Sequence, residues 1–100
     1  MNNNRCLFGF DDDLTSENTA NIKGQIIKLI DGGCLHLDLE LKNVANADVA
    51  GINMLASIYK ILLMQGGTME ITLCPDGNLA RLLQLTKFNK ILTLIYEQKL

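Results

Sequence analysis

Residues 34–74 read CLHLDLELKNVANADVAGINMLASIYKILLMQGGTMEITLC, and their hydrophobic period changes twice. In CLHLDLEL (34–41) leucine falls at every second position, Leu35, Leu37, Leu39 and Leu41, with Cys34, His36, Asp38 and Glu40 between them. Successive side chains leave a strand on opposite faces, so this alternation predicts a strand that lies on a core with one side only. From Asp48 to Gln65 the apolar residues Ile52, Leu55, Ala56, Tyr59, Leu62 and Leu63 recur in steps of three and four, the spacing of a helix face. Gly66 and Gly67 stop that helix. TMEITLC (68–74) alternates again, with Met69, Ile71 and Leu73 against Thr68, Glu70 and Thr72. Strand, helix and strand in this order make a β-α-β unit.

The same pattern extends in both directions. RCLFGF (5–10) is a short apolar run ended by DDD, three carboxylates that suit a solvated turn, so it predicts another strand. TSENTANIKGQIIKLI (15–30) places Ile22, Ile26, Leu29 and Ile30 on one helical face. Thr15 or Ser16 is expected to cap that helix, Glu17 complements its dipole, and Gly32-Gly33 ends it. Past residue 74, PDGN (75–78) is a turn, LARLLQLT (79–86) a third helix, KFNK (87–90) a break and ILTLIYE (91–97) a last strand. The expected fold is α/β: a single small domain over residues 1–100, with a largely parallel or mixed four-stranded sheet and helices mainly on one face.

Composition narrows the function. The chain has 100 residues, 48% of them hydrophobic and 20% charged, enough for one globular core and contrary to disorder. Nine Lys and Arg face eleven Asp and Glu, a formal charge of −2, and the basic residues are dispersed. No stripe neutralises successive phosphates, which argues against nucleic acid. No apolar run reaches the ~18 residues of a membrane span, and MNNNR lacks a signal peptide's apolar segment, so no direct membrane insertion and a cytoplasmic location are expected. Cys6, Cys34 and Cys74 are odd in number, far apart and outside any CxxC, and are expected to be reduced, mostly buried thiols.

Catalytic chemistry finds little support. His36 is the one histidine, on the polar side of a leucine-rich strand, where an ordinary surface role outweighs catalysis. Asp38 and Glu40 share that side about 7 Å apart, but a solvated sheet face requires such residues anyway. Both glycine pairs follow helices instead of opening them, so neither cradles phosphate. No catalytic, cofactor-binding or metal-binding residues are assigned. The start of the second helix is different: Asp48 can cap it, and exposed N–H groups there favour an anion or a modified side chain.

HLDLELKNVANADVAGINMLASIYKILLMQGGTMEITLC resembles the central part of STAS domains, the sulfate-transporter and anti-sigma factor antagonist family. Leu37-Asp38-Leu39 matches the family's apolar strand, and Val44 the apolar residue after it. Asp48-Val49-Ala50-Gly51-Ile52 matches the helix start, Gly66-Gly67 the glycines before the next strand, and LARLLQLTKFNKIL the third helix and following turn. FDDDLTSENTANIK resembles the approach to the first helix, and the match spans residues 8–96. In STAS antagonists the residue after the motif aspartate is a Ser or Thr phosphorylated by a partner kinase. Here it is Val49, and Ala50 replaces the next small polar residue. Ser57 lies more than two turns into the helix and is no geometric substitute. Against the family pattern the N-terminal side is one strand short and the final helix after Tyr96 is nearly absent.

The resemblance implies a non-enzymatic protein-protein interaction module without the usual phosphorylation switch. Its expected docking residues are Asp48, Val49, Ala50, Gly51, Ile52 and Leu55. Implied partners are an anti-sigma factor or GHKL-type kinase, a chemosensory component, or the ATPase of an ABC-type lipid transporter that a soluble STAS subunit regulates. A small-ligand or nucleotide sensor at the positive end of the second helix is the alternative. Self-association is open, through the face of His36, Asp38 and Glu40 or through the edge near residues 5–10.

Overall fold

The computed structural model describes residues 4–98. Four strands, β1 (Arg5–Gly9), β2 (His36–Glu40), β3 (Thr68–Leu73) and β4 (Thr93–Tyr96), alternate with three helices, α1 (Thr19–Asp31), α2 (Val49–Met64) and α3 (Asn78–Leu85). A short 3-10 turn, Phe88–Lys90, precedes β4. All three strand pairings are parallel and the sheet order is β1-β2-β3-β4. Each crossover steps to the same side, and right-handed crossovers in that direction put every helix on one face.

Register sorts the side chains. Cys6, Leu37 and Met69 align across the sheet, as do Phe8, Leu39, Ile71 and Leu94, and these rows face the helices. Ile22, Ile26 and Ile30 of α1, Ile52, Leu55, Ile58 and Leu62 of α2, and Leu79 and Leu83 of α3 close the core over them. The opposite face carries His36, Asp38, Glu40, Glu70 and Thr72, all half-buried. Arg5 donates from one guanidinium nitrogen to both Asp38 oxygens at 3.0 and 2.9 Å, and His36 Nδ1 lies 2.9 Å from Thr68 Oγ1.

Several local expectations change. Thr15 and Ser16 do not cap α1: they lie in a turn, and the helix starts at Thr19 behind Asn18, whose Oδ1 accepts instead from the Thr15 N–H at 3.1 Å. Cys34 is buried, not on the polar side with His36, because β2 begins only at His36 and the strand's alternation does not extend back to it. On α2, Ile58 is buried while Leu63 is 57% exposed. With Lys60 as the only charged residue of that helix, apolar spacing alone leaves its inward direction ambiguous. The cysteines also differ from expectation. Cys6 and Cys34 form a disulfide, because parallel pairing of β1 with β2 brings the connection before β2 within 6.1 Å, Cα to Cα, of Cys6. Cys74 is a free thiol.

Candidate site at the start of the second helix

Leu14 organises this end of the molecule. It is fully buried, forms an isolated parallel bridge with Ala47, donates its N–H to the Asn46 carbonyl at 2.9 Å and accepts from the Asp48 N–H at 3.1 Å. The loop after β1 is thereby laid beside the loop after β2. Asp48 secures both. Its Oδ1 accepts from the Gly51 N–H at 3.1 Å, a helix N-cap, and its Oδ2 from the Ser16 N–H at 3.1 Å. Asn78, the first residue of α3, donates its side-chain amide to the Ala47 carbonyl at 3.0 Å and fixes the loop from the other side.

Gly51 is required by this packing. A Cβ there would collide with the Leu14 carbonyl oxygen and come within 2.7 Å of Leu14 Cγ. The small residue in the Asp48-Val49-Ala50-Gly51 run therefore serves the approach of the loop, not a ligand. Sequence reading missed Leu14. Its only signal is a lone apolar residue between three aspartates and a run of polar residues.

Of the six expected docking residues, the structure leaves two available to a partner in quantity. Val49 is 58% exposed at the first turn of α2, and Ala50 is half-buried beside it. Ile52 and Leu55 are 0% exposed and belong to the core, so their assignment to a contact surface is corrected: the helix turns them onto the sheet. Gly51 is buried under Leu14, and Asp48 is half-buried with both oxygens engaged. Asn53, exposed one turn after Val49, extends the surface. A groove of about 370 Å³ between α1 and α2 adjoins it, lined by Ala20, Lys23, Ala50, Asn53, Met54 and Ser57.

The Asp48 carboxylate sits where an external anion would meet the helix N-terminus, so the site offers little to a phosphate. Among the described residues no three His, Cys, Asp or Glu side chains cluster as metal ligands, and no helix is long and apolar enough to cross a membrane.

The STAS domain family model matches residues 2–99, and the chain belongs to that family. Among solved structures, it is similar to the crystal structure of a candidate anti-sigma factor antagonist, TM1081, from Thermotoga maritima. The TM-score is 0.85 at 20% identity, over 98% of this chain and 83% of that one. An NMR structure of TM1081 gives a TM-score of 0.79, again at 20% identity, over 96% of this chain and 77% of that one. These likenesses show the fold. No curated protein sequence matches the chain.

Proposed function

We propose that the chain is a non-enzymatic docking module of bacterial regulation, working in the cytoplasm, that binds a protein partner through the exposed start of α2. The observation that supports it most directly is Val49: a large aliphatic side chain, 58% exposed, on a helix start held rigid by Asp48. A preorganised apolar residue beside an open groove is the kind of anchor on which binding energy concentrates. Val49 has no hydroxyl, so a kinase finds nothing to modify there, and Ser57 lies in the groove between the helices. The module is then constitutively competent to bind, whatever the ATP level. The name of the similar Thermotoga maritima protein makes an anti-sigma factor or its kinase the first partner to test.

The test is affinity capture from native cytosol and solubilised membranes with tagged wild type beside Val49→Asp, followed by mass spectrometry. Loss of an anti-sigma factor or GHKL-type kinase from the variant supports a permanently active antagonist. Loss of a transporter ATPase assigns the module to lipid transport. If nothing retained by the wild type depends on residue 49, the docking surface is wrong.

A further inference from the structure

The Cys6–Cys34 disulfide joins the edge strand β1 to the connection between α1 and β2. Hydrogen bonding already fixes that junction. The Asn4 carbonyl accepts from the Leu35 and His36 N–H groups at 2.9 and 3.0 Å, and β1 pairs with β2 along its whole length from Arg5 to Gly9. The core row of Leu37 and Met69 closes beside it without a covalent link. The folded junction is thus held by hydrogen bonds as well as by the disulfide, whose entropic contribution acts on the unfolded chain. Both cysteines also line an open groove of about 400 Å³ at the end of α1, where Cys6 is half-buried and Cys34 buried.

The walls of that groove carry charge of one sign. Among the described residues Arg5 and Lys28 line it, and no carboxylate does. Arg5 is paired with Asp38, which offsets part of its charge, whereas Lys28 is exposed near the C-terminus of α1. Cations lining the same groove as the sulfurs draw an anionic reactant towards them. From these observations we propose that the Cys6–Cys34 pair is a thiol-exchange site for a small anionic thiol.

The reaction balances without a further partner. A thiolate of the small molecule attacks the Cys6 sulfur, the less buried of the two, forming a mixed disulfide while the Cys34 sulfur leaves as a thiolate. Cys34 Sγ lies 3.8 Å from the His36 carbonyl oxygen, which receives an S–H once the sulfur is protonated. A second thiolate attacks the outer sulfur of the mixed disulfide and releases Cys6. Two small thiols lose two electrons and become a disulfide, and the protein's disulfide gains them. In a reducing compartment the dithiol is the resting form, and the bond records an oxidising episode. This chemistry lies at the start of the strands, apart from Val49 at their far ends, so it neither requires nor disturbs the docking reading.

The experiment uses the full chain carrying Cys74→Ser, which removes the remaining thiol, equilibrated with mixtures of reduced and oxidised glutathione, quenched with acid and read by mass spectrometry. Reversible passage between dithiol and internal disulfide, through a glutathione adduct on Cys6, is expected. Lys28→Glu is expected to slow reaction with anionic glutathione by roughly fivefold and to leave reaction with uncharged 2-mercaptoethanol nearly unchanged. Cys6→Ser should still melt cooperatively. The proposal is overturned if glutathione opens the bond only on unfolding, if oxidised glutathione leaves both thiols reduced, if Lys28→Glu slows both reagents alike, or if Cys6→Ser fails to fold.

Discussion

Asp48 and Ser16 are 32 residues apart in the chain, yet the Asp48 carboxylate accepts the Ser16 backbone N–H at 3.1 Å while capping α2 through Gly51. One side chain ends a loop and begins a helix. Asp48→Ala removes both bonds and is expected to cost about 2 kcal/mol, the sum of a lost cap and a lost loop bond. Urea unfolding measures it. A cost near zero would mean that water replaces both interactions.

Two glycines should respond with opposite signs. Gly51→Ala drives a methyl group into Leu14 and is expected to destabilise by about 2 kcal/mol, even though alanine suits a helix better. At Gly24, in the middle of α1, an added Cβ meets nothing within 4 Å, so Gly24→Ala should stabilise by about 1 kcal/mol. Thermal melts of the pair check both. Equal signs would contradict the close approach of the loop to α2.

Stability and binding should separate along α2. Ile52→Ala and Leu55→Ala each empty a fully buried position and are expected to cost about 3 kcal/mol. Val49→Ala should change stability by less than about 0.5 kcal/mol. Any partner found by capture should nonetheless lose affinity for it. Denaturation curves beside binding isotherms make the comparison.

The Arg5–Asp38 pair is expected to contribute little despite its short distances. Its side chains are 51% and 31% exposed, and a double-mutant cycle of Arg5→Ala and Asp38→Ala should return a coupling below about 1 kcal/mol that shrinks with added salt.

Much of the architecture was legible from period alone. The alternating leucines of 37–41 and the Met69, Ile71, Leu73 series have one inward direction, and the glycine pairs mark where helices stop. Right-handed crossovers then leave few ways to order the strands. What escaped was fixed by contacts between distant segments. Leu14 gains its meaning only from Ala47 and Gly51, and Cys34 only from its approach to Cys6. The helix start at Asp48 was readable because its cap is local, three residues long. The inward face of α2 was not: a helix with a single charged residue looks the same from most directions, so Ile52 and Leu55 passed for surface and Ile58 for neither.

The β1-β2-β3-β4 order has a bearing on assembly. Every strand adds to the side of its immediate predecessor, and no later segment has to insert between two that have already paired. Each helix-strand unit can therefore add to a neighbour that precedes it in the chain. Of the described elements α3 and β4 are the outermost addition, and with them Leu79, Leu83 and Leu92 join the core. Accretion in this order makes every pairing in the sheet one between strands that are neighbours in the chain.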